Sequence, residues 1–495
     1  MGRRAASPEL PQAEPGPLSP EQREDIARRI RAGEPLDPAL RERLFPPSGT
    51  RRQATLVYPG KRAASELLAG PTAELRQNLA FGSPPPAPGT WSNMLIRGDN
   101  LPVLRRLVEL RRAGELVNAD GSAGLRLIYI DPPFGTAQLF HGRGRARAYS
   151  DKLTGAEFIE FLRARLVLLR ELLAEDGSIY LHLDERRSHY LKVVMDEVFG
   201  EDCFQREIIW RIGWISGYKS AARNWIRNHD TILFYTRRPA GFVFNKRYLP
   251  YAEGYLRRDG KPPKGKGIPL EDTWNCSKDD ELHSIQIMSF SGEKTGYPTQ
   301  KNESLLRRIV EASSNPGDLV LDAFAGSGTT CAVAEQLGRR WVGLDLGKLA
   351  IQTCSRRLLD LRKRCEVQPF GRYDARAETD DSAPSVEWVR EASEARWCAR
   401  LVKFSARAPA QQDTRRRKQV EAPTGLDALA HVLVDLDHDG KILRPTLVLD
   451  GEQLRARAGR VELGEEHPLG QRIALICVDV YGNEQLTQLP VAASP

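Results

Sequence analysis

GDLVLDAFAGSGTTCAVAEQLGRRWVGLDLG, residues 317–347, is two short apolar runs that each end on an aspartate, joined by a glycine turn and a helical pattern. The first run, Leu319 to Leu321, stops at Asp322; the turn holds Gly326 and Gly328; the second run, Trp341 to Leu344, stops at Asp345. Glycines at such a turn let the backbone approach a ligand closely, and the helix behind them offers unpaired N–H groups at its N-terminus. An acidic residue closing the next strand can accept hydrogen bonds from ribose hydroxyls. A phosphate-gripping loop would carry a lysine after its last glycine, and none follows here. A dinucleotide fold would put a third glycine where Cys331 stands. S-adenosylmethionine, which has a ribose but no phosphate, suits the turn better.

Upstream, LRLIYIDPPFGTAQ (residues 125–138) is a second apolar run ending on a carboxylate, two prolines and an aromatic. The lone pair of an exocyclic amine on a nucleobase is delocalised into the ring. Acceptors on both amine protons push the nitrogen toward a tetrahedral, nucleophilic geometry. The Asp131 carboxylate can accept one bond and the Pro132 carbonyl the other, while Pro133 adds rigid backbone with no competing donor. Phe134 offers a face on which a flipped base can stack. A lone D-P-P-F is most often a strand end followed by a turn. Its occurrence in one chain with the glycine turn is far more specific.

Between and around these motifs, short apolar runs alternate with helical patterns, the texture of a mostly parallel α/β sheet. Candidate strands are Met94 to Arg97, Leu125 to Ile130, Ser178 to Leu183, Glu207 to Trp210, Thr231 to Tyr235, Leu319 to Leu321 and Trp341 to Leu344. Phe158, Phe161, Leu162, Leu166, Leu169, Leu172 and Leu173 recur at helical spacing, a stripe read as core and not as a cofactor contact. Residues 1–90 are rich in Pro, Arg and Glu and read as a largely disordered arm. An α/β domain follows over 91–372, with a Gly/Pro-rich surface insertion at 240–293. Residues 390–495 read as a small β-rich domain.

The chain has 495 residues, and Lys+Arg of 73 against Asp+Glu of 65 leaves a formal charge of +8, which favours a polyanionic partner without requiring one. Its seven cysteines are scattered without a C-x-x-C pair, which argues against a disulfide framework or a zinc site and for a reducing cytoplasm. The N-terminus lacks the apolar core of a secretory signal, and no run approaches a membrane span.

IYIDPPFGT, GYPTQKNESLLRRIVEASSNPGDLVLDAFAGSGTT and GRRWVGLDLGKLAIQ together resemble the site-specific DNA amino-methyltransferases of the permuted β arrangement, the N-4/N-6 DNA methylases, which include modification subunits of type III restriction systems. The likeness runs from about Asn93 to Leu361 and implies a methyltransferase domain over 91–372, in which the insertion at 240–293, short for the family, is the candidate for target recognition, reduced or shared with the C-terminal domain. It implies a class I S-adenosylmethionine-dependent fold: α/β and Rossmann-like, with a seven-stranded, mostly parallel, circularly permuted sheet. Asp131, Pro132, Pro133 and Phe134 then look like the catalytic motif. Asp322, Phe324, Gly326 and Gly328 look like the cofactor loop, and Asp345 like the ribose acceptor. Thr299, Gln300 and Lys301 resemble a segment that usually reads T-Q-K-P and approaches the methionine end of the cofactor; Asn302 replaces its proline. Asp99, with Gly98 and Asn100, resembles the segment near the adenine, and an N-cap for the following helix is an equally good reading.

The implied reaction is methylation of adenine N6 in double-stranded DNA by base flipping, because an Asp-first motif is the commoner adenine version. Cytosine N4 is the alternative on the same fold. An RNA or protein methyltransferase, or a DNA-binding specificity subunit acting only within a restriction complex, are the readings from other classes. Candidate partners besides DNA are a restriction subunit and a second copy of the chain, with no membrane and no metal expected.

Several further signals have two readings. Arg143, Arg145 and Arg147 could hold DNA phosphates or lie on a solvated loop. Trp210, Trp214, Tyr218 and Trp225 could stack on bases or pack at a sheet edge. His182 and Asp184 could shape a target pocket, although a satisfied strand-end histidine is the default. DLDHDG (435–440) mimics a calcium loop, but its twelfth position is Thr446, so a hairpin turn fits better.

Overall fold

The computed structural model of the protein describes residues 24–26, 28–29, 31, 54–82, 91–133, 139–141, 147–150, 155–211, 213, 223–276, 282–283, 287, 291–362, 366–375, 383–393, 397–406 and 425–491. The chain divides into two compact units, Met1–Thr55 and Leu56–Pro495. Described residues of the first are helical around Asp25, which pairs with Arg28 at 2.5 Å and Arg29 at 2.9 Å.

The second unit is built on a ten-stranded sheet. Its elements are β1 (Arg76–Phe81), β2 (Asn93–Arg97), α1 (Asn100–Arg112), β3 (Leu125–Ile130), α2 (Gly155–Leu172), β4 (Leu173–Leu183), α3 (Ser188–Phe199), β5 (Phe204–Arg211), β6 (His229–Thr236), β7 (Thr273–Trp274), α4 (Glu303–Ser313), β8 (Leu319–Asp322), α5 (Thr329–Gln336), β9 (Arg340–Asp345), α6 (Lys348–Arg362) and β10 (Phe370–Asp374). The spatial order is β1-β10-β2-β9-β8-β3-β4-β6-β5-β7. The run from β2 to β5 is the seven-stranded Rossmann-like sheet, parallel except for β6, which lies antiparallel to both β4 and β5. It is permuted, since β8 comes late in the chain yet pairs with β3 at the centre, Val320 beside Leu127 and Leu321 beside Ile128. Strands covered on both faces need continuous apolar runs; all six residues of β3 and all four of β8 are buried.

Three strands extend this sheet. On one edge β10 runs parallel to β2, and β1 closes antiparallel on β10. The arm expected over 1–90 therefore gives way earlier to packed chain: Leu67, Leu79 and Phe81 are buried, and Phe81 stacks on Phe370 at 4.5 Å. An unpaired β10 would expose its backbone N–H and C=O groups, and β1 satisfies them. On the other edge β7 pairs with β5, Trp274 beside Trp210. The segment 240–293 is thus partly tied to the sheet, with Phe242 and Phe244 packed on Phe234 at 6.1 and 5.9 Å.

Helix α2 buries Phe158, Leu162, Leu166, Leu169 and Leu172, each such side chain contributing about 1.5–3 kcal/mol by its removal from water. At the C-terminal end of the chain, the strands β11 (Ser385–Arg390), β12 (Trp397–Ser405), β13 (Leu429–Asp435), β14 (Leu447–Asp450), β15 (Arg460–Leu463), β16 (Arg472–Asp479) and β17 (Glu484–Pro490) form a three-stranded and a four-stranded sheet. These share a core around Trp397, Leu401, Val432 and Leu475. Leu433, Ile476 and Val478 join instead the apolar cluster of the large sheet that holds Phe81 and Leu358. Arg372 of β10 clasps Glu484 with two bonds of 2.6 Å, so these strands dock on the flank of the large sheet. The stretch 435–440 is a turn in which the Asp439 carboxylate accepts from Lys441 N and Ile442 N. Among the described residues, no helix is long and apolar enough to cross a membrane.

Candidate active site

Adjacent parallel strands end side by side, so Asp131 after β3 and Asp322 at the end of β8 lie at the same edge of the sheet, where open α/β sheets bind ligands. Between them and the neighbouring loops is a cavity of about 600 Å³. Its walls include Asp99, Asp131, Pro132, Pro133, Thr299, Lys301, Asp322, Phe324, Gly326 and Asp345 among the residues singled out from sequence. Phe134 lies outside the described residues, as do Trp214, Tyr218, Arg143, Arg145 and the side chain of Arg147.

Asp322 is fully engaged. Its Oδ1 accepts from Phe324 N at 3.0 Å and its Oδ2 from the Thr330 hydroxyl at 2.5 Å. Burial, followed by the charges of Asp131 and Asp345, pushes its carboxyl up to about 7. Gly326 and Gly328 have φ of 51° and 73°, and a Cβ at Gly328 would strike Cys354 of α6; both the conformation and the close approach call for glycine. Asp345 caps this turn from the next strand, accepting from Gly326 N at 2.9 Å and Gly347 N at 2.8 Å, and burial raises its carboxyl. Asp99 caps α1 by accepting from Leu101 N at 3.1 Å, and it also lines the cavity.

The T-Q-K segment divides. Thr299 holds a positive φ of 60° and lines the cavity, as does Lys301, whose ammonium forms an ion pair with Asp131 Oδ2. Gln300, expected beside the cofactor, is absent from the cavity wall. Its amide serves its own loop, accepting from Thr295 N and Thr295 Oγ1 at 2.9 and 2.7 Å and donating to Glu293 O at 2.6 Å. Asn302, where the resembling segment has proline, is the N-cap of α4, accepting from Leu305 N at 3.1 Å; it starts the helix by capping in place of a proline's fixed φ.

Among the wall residues that the sequence reading passed over, four stand out. Tyr129 is buried, its hydroxyl 2.8 Å from His182 Nδ1, and His182 Nε2 is 3.3 Å from Asp230. His182 is therefore a satisfied histidine one step behind the cavity wall. Phe161 and Arg165 of α2 line the cavity, which corrects the reading of that stripe as core alone: the Arg165 guanidinium sits 3.5 Å from the Phe161 ring centroid and pairs with Asp99 at 2.8 Å. Burial brings Arg165 down to about 10. The signal was present as two arginines inside the apolar run FLRARLVLL. Tyr297 leans on the glycine turn, 3.3 Å from where a Gly326 Cβ would sit. Of the aromatics weighed for DNA contact, Trp210 is fully buried and Trp225 is 99% exposed.

Four carboxylates (Asp99, Asp131, Asp322, Asp345) against two cations (Arg165, Lys301) give the cavity an acidic lining with apolar walls. That suits a cationic, ribose-bearing ligand and not a polyphosphate.

A sequence profile described as DNA methylase matches residues 125–355. The type II methyltransferase M.EcaI of Enterobacter cloacae is 32% identical over 391 residues, which are 65% of this chain and 80% of that protein. The DNA adenine methyltransferase YhdJ of Escherichia coli strain K12 is 26% identical over 289 residues, covering 57% of this chain and 87% of that one. The probable type III restriction-modification enzyme HindVI Mod subunit of Haemophilus influenzae is 22% identical over 427 residues, covering 61% and 53%. The matched profile takes in both strand-end motifs, and M.EcaI aligns over four fifths of its length; the chain belongs to the DNA methylase family.

Proposed function

We propose that the protein methylates the exocyclic N6 amine of adenine in double-stranded DNA, using S-adenosylmethionine, as the modification component of a restriction–modification or defence system. The observation that carries this reading is Asp131: in the cavity wall, its Oδ1 is buried and has no hydrogen-bond partner among the described residues. A buried carboxylate oxygen left unpaired costs free energy unless a ligand donor engages it.

The acidic lining, the glycine turn and Asp345, whose oxygens each accept a backbone N–H and keep a lone pair for a ribose hydroxyl, fit the cofactor. When bound, S-adenosylmethionine supplies an electrophilic methyl group on a sulfonium. Gly326, Asp345, Asp99 and the backbone of the turn that Asp322 braces would hold it, with Thr299 at the same wall. Asp131 Oδ1 and the Pro132 carbonyl accept the two amine protons of a flipped base, which directs the nitrogen lone pair out of the ring. As the nitrogen gains the methyl group a carbon–sulfur bond would break to leave a neutral thioether, and the nitrogen sheds one proton to solvent; catalysis consists mostly of positioning and preorganised electrostatics. Extruding the base costs a few kcal/mol, which the pocket must offset.

The Asp-first motif and the name of the YhdJ relative support adenine. The same two acceptors would also engage cytosine N4, which is the second reading. Digesting methylated duplex DNA to nucleosides checks the choice: N6-methyladenine is expected, and N4-methylcytosine alone overturns it. The HindVI Mod relative supports a restriction subunit as partner.

A further inference from the structure

We infer that Lys301 is a positioning residue for Asp131: its ammonium holds Oδ2, so that Oδ1 is the one oxygen left for the target amine. The inference rests on the reading of Asp131 as the amine's acceptor and reassigns Lys301 from the cofactor to the target side of the cavity.

Three observations carry it. The first is the pair itself. Lys301 and Asp131 are 170 residues apart in the chain, and their side chains are only 11% and 16% exposed. This is not a solvated surface contact, and in a cavity that also holds Asp322 and Asp345 the ammonium offsets crowded negative charge. The second is the anchoring of Lys301. Its carbonyl accepts from Thr329 Oγ1 at 2.9 Å, and Arg357 donates to that same hydroxyl at 2.8 Å. Its neighbour Asn302 is fully buried and caps α4. The root of the lysine is thus tied to both the glycine turn and a helix, so its ammonium is delivered to a defined place. The third is the asymmetry at Asp131, one oxygen ion-paired and the other without a partner among the described residues.

An aspartate carboxylate turns easily about its last torsion, which is broad and roughly two-fold, so either oxygen can face a ligand. Pinning one oxygen fixes the direction of the other and removes that rotation as a cost of binding. The other cavity cation cannot substitute, because Arg165 is engaged by Asp99 and by the Asn100 side-chain amide oxygen.

The test compares wild type with Lys301→Met, Lys301→Gln and Lys301→Arg. Transfer of radiolabelled methyl to duplex DNA gives kcat, and calorimetric titration with S-adenosylmethionine gives Kd and also reports that each variant is folded. Expected is a loss in kcat of about 10- to 100-fold for Met and Gln, partial recovery for Arg, and a cofactor Kd within about 2-fold of wild type throughout. Unchanged kcat in Lys301→Met or Lys301→Gln overturns the inference. So does a loss confined to cofactor Kd, which returns Lys301 to the methionine end. Wild-type protein that transfers no methyl to DNA overturns the functional reading itself, and the inference with it.

Discussion

Two carboxylates end neighbouring parallel strands, and their surroundings differ in kind. Asp322 at the end of β8 spends both oxygens on its own turn, on a backbone N–H and the Thr330 hydroxyl. Asp131 after β3 gives one oxygen to Lys301 and keeps the other unpaired among the described residues. The first carboxylate builds a loop that a ligand can approach, and the second keeps one oxygen uncommitted. The same residue type at equivalent ends of a sheet is thus fully satisfied in one place and, in the function proposed above, the acceptor for a target amine in the other.

The contrast breaks most sharply at Asp131. Asp131→Ala is expected to lower methyl transfer by at least about 100- to 1,000-fold, as loss of a preorganised hydrogen-bonding group does, while cofactor Kd stays within about 3-fold. Filter-binding of labelled DNA and calorimetry measure the two. Equal losses in both would put Asp131 on the cofactor and erase the distinction from Asp322.

On the other side of the comparison, Gly328→Ala should damage the loop and not the acceptor. A Cβ there meets the Cys354 side chain and its Cα at 3.0 Å, in a left-handed conformation. The expected cost is about 1–3 kcal/mol, seen as a lower Tm together with cofactor binding weakened by about 10-fold. A variant with normal Kd and reduced turnover would mean that the turn tolerates the methyl.

Asp322 also gives a pH test. Burial raises its carboxyl from 3.8 to about 7 in the folded chain, so the folded state holds this proton more tightly than the unfolded state does. The resulting stability is full below about pH 4 and is lost as pH rises through 7, a few kcal/mol in all. Thermal melts of the ligand-free protein should fall between about pH 4 and 7. Asp322→Asn, which keeps an acceptor for Phe324 N, should flatten that fall by several degrees; an unchanged slope would show Asp322 to be ionised throughout.

How much of this could be read in advance follows from the range of each interaction. The strands β3, β8 and β9 and the glycine turn are written in local runs and turn residues, so Asp131, Asp322, Gly326 and Asp345 were recognisable where they stand. The order of the strands is a matter of long-range pairing, and only the family likeness supplied the permutation. Strand β1 was missed because its six residues sit among prolines and its partner β10 lies almost 300 residues on. Arg165 and Tyr129 belong to elements read as core, and packing alone turns them to the cavity. The partner of Lys301 was invisible for the same reason, since a 170-residue separation has no periodicity.

The smallest effect is expected at Gln300, and it separates likeness from geometry. Family pattern groups Thr299, Gln300 and Lys301 as one cofactor segment. In the folded chain the Gln300 amide is spent on Thr295 and Glu293, away from the cavity wall. Gln300→Ala removes these bonds in a partly exposed loop, at roughly 0.5–1.5 kcal/mol each at most, and the loop's ends remain held by Asn302 and by the Lys301 carbonyl. Cofactor Kd should therefore move by less than about 3-fold, with a slightly lower Tm. Calorimetry that found a loss of 10-fold or more with an unchanged Tm would mean that Gln300 turns inward when the ligand arrives.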